Sequence, residues 1–534
     1  MIRYRSQKQR TLDGFEMPFQ AALDPGNRWV KLSECIPWDE LAEGYYAQRT
    51  STRGRPTKDA RLIIGAVIIK HKLCLSDEET VQQIQENPYL QYFCGLPDFT
   101  NELPFAPSLF VEIRKRMGQA VFESFHEAIL GAVRTARTQR KGSVSEAPAE
   151  ASDRDEDPPT GGGIVTPEEA AVSAEAEPRQ GKLILDATVA EQAICYPTDL
   201  SLLNEAREFS ERIIDHLYPQ TDWKRKPRTY RQKARQAFLA VAKKRRPGGK
   251  VLRRAIKQQL QYLRRNIQHI ERLMDSWPMG TPIPLPPWLM HRYWVIQHLY
   301  DQQWQMYRTD TRRCDDRICS LSQPHVRPII RGKQNKAVEF GSKLSVSLDD
   351  EGLARVDHLR WDAFHEGLDL PAQVEAYRRR HGYYPEVVLG DPIYGTRDNR
   401  RYLQVRGIRF AGKPLGRPRK VTEQNRAELE RLKAQRREEY LQRIPIEGKF
   451  GQGKNGYRLK YIRAKLPKTS SAWINSIFLV MNLLVLVRAL FGLCCPAALR
   501  AFLAADTLFQ QLISRTLSAT IHWKHIASRV ALIN

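Results

Sequence analysis

Four residues in the C-terminal third, Tyr440, Arg443, Glu447 and Lys454, stand at the spacing Y-x2-R-x3-E-x6-K within EEYLQRIPIEGKFGQGKNGYRLK. This sets one carboxylate among fixed cations. Upstream, two more acids each close a short apolar run: Asp186 after KLIL and Asp391 after EVVLG. Taken singly, either aspartate reads equally well as a turn residue or a helix N-cap. Together, in this chain order, they match what phosphodiester chemistry with two magnesium ions needs: about three carboxylates, arriving from separate strands and a helix to share the metals. The plainer reading makes Arg443 and Glu447 an i, i+4 helix pair, worth only about 0.2–0.5 kcal/mol. Such a pair would not need Tyr440 and Lys454 in register as well.

The elements that would carry these residues are legible as short β-like runs: a strand starting at Lys182 and ending at Asp186, then 338–348, 354–360, 387–389 and 408–411, with helical stretches between and after them. Strands mixed with helices imply an α/β layer around a central sheet. Pro445 falls between Arg443 and Glu447, so a helix through the signature is expected to bend or restart there.

Ahead of the sheet, residues 58–134 read as helices. Leu62, Ile63, Val67, Ile68 and Ile69 form an apolar face, a tight turn follows at Leu73–Leu75, and Ser76 with Glu79 makes a capping box for the next helix, whose inner face holds Val81 and Ile84. A further helix from about Ser108 carries Arg114, Lys115 and Arg116. Helix, short turn and helix with basic flanks suit duplex DNA or plain helical packing. The composition then shifts to Ala, Glu, Pro, Ser, Gly and Asp, as in ASDRDEDPPTGGG, which cannot bury enough apolar surface to offset ordering entropy.

Between the first and second strands lies an insertion at about 200–325. Leu252, Ile256, Leu260, Leu263, Ile267 and Ile270 step by four and three, giving a helix with one apolar seam. The Pro-rich turn WPMGTPIPLPPW then reverses the chain into a second helix bearing Trp294, Leu299 and Trp304. Only Glu271 is acidic from Lys224 to Arg272, whereas Lys243, Lys244, Arg245, Arg246, Arg253, Arg254, Arg264 and Arg265 crowd the outer face. Contact with a nucleic-acid backbone is expected there.

The whole chain points the same way. It has 534 residues, with 85 basic against 60 acidic, for a net charge of +25. That excess favours a polyanion, because each neutralised phosphate releases condensed counterions. A chain of this length holds several domains. The best apolar stretch, Ile477 to Val487, contains Asn482 and stops at Arg488, short of the roughly 20 residues a membrane span requires. The N-terminal MIRYRSQKQR lacks the apolar segment of a secretory signal. Eight scattered cysteines suit reduced thiols, and Cys314 with Cys319 has no second pair to complete a zinc site. A cytoplasmic, nucleoid-associated protein is expected.

Three segments, LILDATVAEQAICYPTDLSLLNEARE, VVLGDPIYGTRDNRRYL and IPIEGKFGQGKNGYRL, resemble the acidic blocks of bacterial insertion-sequence DDE transposases of the group with the Y-R-E-K signature. The likeness runs from about Lys182 to Leu483, and the N-terminal helical part is similar to that group's leader domain. It implies an α/β fold: an RNase H-like mixed sheet with flanking helices, plus an all-helical N-terminal domain and a long basic helical insertion. The expected divisions are a DNA-binding region 1–138, an acidic disordered linker 139–180, a catalytic domain 181–483 and C-terminal helices 484–534. Asp186, Asp391 and Glu447 would ligate two Mg2+ ions, with Mn2+ as a substitute; one would activate a water or a 3′-hydroxyl and the other would stabilise the leaving oxygen. Arg443 and Lys454 would grip phosphates, the first as a planar fork and the second as a point charge. Tyr440 would position or stack on the DNA end. The implied partners are double-stranded DNA, both element ends and target, and a second copy of the chain in a paired-end homodimer, with no membrane. A catalytically silent descendant that only binds DNA and a stand-alone metal-dependent nuclease are the alternatives.

Two further motifs carry less. Gly448 to Asn455, GKFGQGKN, nearly fits a phosphate-binding P-loop, but Asn455 has no hydroxyl for magnesium and no buried strand precedes it. Gly54-Arg55-Pro56 and Gly416-Arg417-Pro418-Arg419 suit minor-groove arms or helix starts equally. His325 and Trp361 lie beside expected strands, with Trp361 better suited to packing.

Overall fold

Helices come first along the chain, and four of them start on side-chain caps. The computed structural model describes residues 23–47, 57–144, 178–278, 280–330, 338–417 and 420–491. Gly54-Arg55-Pro56, Pro418 and Arg419, most of the acidic linker, Cys494, Cys495 and everything beyond 491 lie outside the described residues. Helices α1 (Arg28–Cys35) and α2 (Trp38–Tyr46) precede α3 (Ala60–Lys72), which is capped by Asp59 and buries Leu62, Ile63, Val67, Ile68 and Ile69. Cys74 takes a left-handed φ of 56° in the turn that follows. Helix α4 (Asp77–Glu86) starts on the complete Ser76/Glu79 capping box, with Val81 and Ile84 buried as its spacing requires. Helices α5 (Pro88–Phe93), α6 (Leu109–Arg116) and α7 (Gln119–Val144) complete this region.

The central sheet has six strands: β1 (Lys182–Glu191), β2 (Arg327–Ile330), β3 (Val338–Leu348), β4 (Ala354–Arg360), β5 (Val387–Gly390) and β6 (Arg409–Ala411). Its path is β2-β3-β1-β5-β6, with β4 also paired to β3. Pairing is antiparallel among β1 to β4 and parallel from β1 through β5 to β6. The architecture is thus mixed α/β. Alternate residues of β1 serve opposite faces. Leu183 and Leu185 pack with Leu370, Val374 and Tyr377 of α12 (Leu370–His381), and with Leu403 of α13 (Arg397–Val405). Ile184 faces the other way, into a core shared with the N-terminal helices, α14 (Arg426–Gly456) and α15 (Pro467–Phe491).

Helix α15 is long and apolar enough to cross a membrane, yet it forms the interior of that shared core. It runs unbroken across residues 483 and 484. Between β1 and β2, helices α8 (Asp199–Leu217), α9 (Arg231–Ala242), α10 (Gly249–Asp275) and α11 (Pro287–Thr309) enclose a core of their own, with Leu260, Leu263, Ile267 and Ile270 facing Leu203, Ile214 and Leu299. The expected hairpin is therefore half of a larger helical unit.

Three expectations are corrected. Strand β1 does not end at Asp186 but continues to Glu191, because β3 pairs with it residue by residue from Ile184 to Glu191. Strand β2 was not foreseen. Helix α14 does not restart at Pro445 but is continuous through it, on an exposed turn; there water can serve the carbonyl that the missing N–H leaves unbonded.

Candidate active site

Strand register puts the first two acids side by side. Leu185 of β1 pairs in parallel with Gly390, the last residue of β5, so the residues that follow them, Asp186 and Asp391, are neighbours. Asp186 shares the sheet face of Ile184, the face that α14 covers. Ile446 and Phe450 are the apolar contacts of α14 with that core. Burying them fixes the rotation of the helix and turns Arg443 and Glu447 toward the strand ends. Beyond α14 the chain returns to the same strand: Ile462 N–H donates to Glu191 O at 2.9 Å and Ala193 N–H to Ile462 O at 2.9 Å.

The three acids meet on one guanidinium. Arg443 Nη1 lies 2.6 Å from Asp391 Oδ1 and 3.5 Å from Asp186 Oδ2, and Arg443 Nη2 lies 2.7 Å from Glu447 Oε1. Asp186 and Asp391 bracket the same nitrogen, so their oxygens are no further apart than those two contacts laid end to end. The Asp186 and Arg443 side chains are 16% and 14% exposed, whereas those of Asp391 and Glu447 are 45% and 49% exposed. The site has a buried floor and an open rim.

Asp186 is the electrostatically strained member. Burial pushes its carboxyl up to about 6; the Ala187 N–H, which donates to Oδ1 at 2.7 Å, opposes this, nearby Asp391 adds to it, and Arg443 offsets part of it. This is the behaviour of a carboxylate taken largely out of water, which disfavours its charged form.

The loop carrying Asp391 is locked from behind by residues that sequence reasoning missed. Tyr394 is fully buried and its ring covers Gly390, where an added Cβ would meet the ring at 3.2 Å. Asn399, buried at the start of α13, donates through Nδ2 to Gly367 O at 2.6 Å and to Tyr394 O at 2.9 Å. Gly367 approaches so closely that a Cβ there would stand 2.5 Å from Ile393 O. A small residue before the aspartate and an aromatic three after it, in GDPIYG, was the available signal.

The donor set suits the divalent ions that the resemblance implies. Among the described residues no three His, Cys, Asp or Glu side chains form a ready-made metal cluster; at the triad the guanidinium sits between the acids. Three carboxylates already directed at one cation are hard oxygen donors of the kind magnesium takes. The exposed Asp391 and Glu447 have the freedom to close on a smaller ion. The residues fit.

The remaining predicted residues lie around this centre or away from it. Tyr440 is one turn before Arg443, 59% exposed, with the Arg443 guanidinium 5.7 Å from its ring centre. Lys454 is two turns beyond Glu447 on α14. Lys243, Lys244, Arg245 and Arg246 are exposed in the connection between α9 and α10, and Arg254 is exposed on α10. Arg253 is engaged within the insertion, paired with Asp310, donating to Tyr307 O at 3.1 Å and stacked 4.5 Å over the Tyr307 ring. The near P-loop, residues 448–455, is helical throughout. His325 and Trp361 pack edge to face on each other at 4.3 Å.

Comparison with known proteins bears directly on this geometry. Residues 388–484 match the family described as Transposase DDE domain, and residues 17–116 match Transposase domain (DUF772). Both matched segments are transposase domains. The first match contains Asp391, the whole Y-R-E-K signature and most of α15; the second covers α1 to α6. Asp186 lies before the matched DDE segment, so its place in the triad rests on the strand register and on Arg443. A relative from Rhizobium meliloti, "Uncharacterized protein ORF8 in nfe locus", is 36% identical over 135 residues, 25% of this chain and 63% of the relative's length. No solved structure matches the chain.

Proposed function

We propose that this chain cuts DNA at the ends of its own mobile element and joins the freed 3′-hydroxyl to a target duplex. The convergence of Asp186, Asp391 and Glu447 on Arg443 carries this reading. The sheet supports an RNase H-like catalytic domain: antiparallel strands β3 and β4 stand beside β1, parallel strands β5 and β6 follow on its other side, and a helix supplies the third acid. Two Mg2+ ions, or Mn2+ in their place, would be held by the three acids and would supply an activated oxygen nucleophile and charge stabilisation at the leaving oxygen.

The chain's own residues do the positioning. Arg443 offers a planar fork to a phosphate and Lys454 a compact charge. Tyr440 presents an exposed ring for stacking on a terminal base, next to a guanidinium. The Tyr394 and Asn399 lock holds the Asp391 backbone still while its carboxylate remains free to turn. The cationic connection 243–246 and Arg254 would bind phosphates at a distance from the cut. Transesterification conserves the number of phosphodiester bonds, so ATP is not needed. Joining two ends together requires two active sites, and a homodimer follows.

The test is to incubate the purified chain with labelled duplex from the DNA flanking its gene, with Mg2+ and a second, unlabelled duplex. The expected product is label covalently joined to the second duplex. Nicking without joining would make it a nuclease, and binding without nicking a silent DNA-binding protein.

A further inference from the structure

The guanidinium of Arg443 and a pair of divalent ions would need the same carboxylate oxygens. One nitrogen of Arg443 reaches both aspartates and the other reaches Glu447, so the side chain fills the space among all three acids. Three carboxylates carry three negative charges; two dications exceed that alone and leave nothing to hold a guanidinium in their midst. At the roughly 4 Å separations of a two-metal site, like charges in a partly buried setting repel strongly. Arg443 and the ions cannot share the centre.

The helix provides a route out. Arg443 and Tyr440 are one turn apart on α14, their side chains already 5.7 Å apart from guanidinium carbon to ring centre, and the Tyr440 ring is exposed. Asp391 and Glu447 form the open rim on that side. A guanidinium swinging outward passes from the carboxylates over the tyrosine into the path of an arriving DNA strand, where a phosphate offers it a bidentate partner.

We propose that Arg443 is an exchangeable counter-cation, so that DNA phosphate and divalent ions load the triad cooperatively: phosphate draws the guanidinium off the acids, and the acids are then free for the ions. The inference rests on the triad being the metal site proposed above. Coupling must be reciprocal. DNA tightens ion binding by the factor by which ions tighten DNA binding, and without DNA the site resists loading.

The experiment is a titration of Mn2+ against the full chain, followed by the electron paramagnetic resonance of the free ion. Without DNA, Arg443→Gln is expected to bind Mn2+ about tenfold more tightly than wild type, within the usual range of coupling between sites. Arg443→Lys, whose point charge cannot reach all three acids, should gain part of that and serves if Arg443→Gln does not fold. In gel shifts with duplex from the DNA flanking its gene, Mn2+ should strengthen wild-type binding by a similar factor and leave Arg443→Gln within about twofold. Equal or weaker Mn2+ binding by both Arg443 variants would overturn the exchange. An Asp391→Asn control separates the two readings: if it loses Mn2+ while the Arg443 variants match wild type, only the exchange fails, and if it binds Mn2+ as wild type does, the metal site itself fails.

Discussion

Two charge clusters in this molecule are built from the same side chains to opposite ends. In the first, Asp77 is held between two cations, Lys70 Nζ at 2.8 Å and the Arg114 guanidinium at 2.9 and 2.7 Å. Lys70 also donates to Leu75 O at 2.9 Å, and Trp473 of α15 presents its ring to Lys70 and Arg114 at 4.5 and 5.3 Å. Burial opposes ionisation of Asp77, yet Arg114 and Lys70 overcome it and hold the carboxyl below its ordinary range. Its one carboxylate is shared by two cations, and the cluster pins α3, α4 and α6 to α15. In the second, one guanidinium serves three acids at an open rim. Excess of one sign beside solvent marks the place where something else must bind.

The largest difference should appear when one acid is removed from each cluster. Asp391→Asn is expected to reduce cutting of labelled DNA to background while end binding in gel shifts and the unfolding midpoint stay near wild type; retained cutting would remove Asp391 from the site. Asp77→Ala is expected to do the reverse to stability, costing about 3–5 kcal/mol in denaturant unfolding, because it leaves two buried cations without a partner. A loss below about 1 kcal/mol would mean the N-terminal helices are held by apolar packing alone.

Asp186 sharpens the comparison through pH. Its folded value of about 6 lies above that of an ordinary aspartate, so the folded state keeps this proton longer than the unfolded state. Its contribution to stability is fully present below about pH 4 and is lost as pH rises through 6. Asp186→Asn should therefore be more stable than wild type by about 1–3 kcal/mol at pH 7.5, a gain that shrinks toward zero at pH 4. Unfolding curves at the two pH values read this directly, and a gain independent of pH would assign it to packing. Smaller still, replacing Lys243, Lys244, Arg245 and Arg246 by Ala should weaken DNA binding evenly across sequences. The slope of log affinity against log salt should become shallower by about 0.9 for each phosphate that is no longer neutralised.

How much of this was readable in advance follows from where the information sits. Strands β3 and β4 are spelled by local composition, and the Ser76/Glu79 box is a local signal; both stand where the residues put them. The far half of β1 was hidden because Asp186 and Thr188 interrupt its apolar run, and only pairing with β3 carries it to Glu191. Strand β2 contains Pro328, which argues against a strand except at an edge, and an edge is where it lies. The three acids that meet on Arg443 could be singled out because metal-assisted chemistry restricts residue type. Their meeting on Arg443, the Asn399 lock and the approach of Lys70 to Trp473 were not, since each depends on residues brought together by the sheet and its covering helices.

The proposed chemistry requires that three carboxylates share divalent ions. Crystals of the chain soaked in Mn2+ and measured at an anomalous wavelength test it most directly. Anomalous peaks bounded by Asp186, Asp391 and Glu447 are expected, about 3.5–4 Å apart where two ions bind. Peaks elsewhere with the triad still closed on Arg443, at Mn2+ concentrations that support cutting in solution, would contradict it.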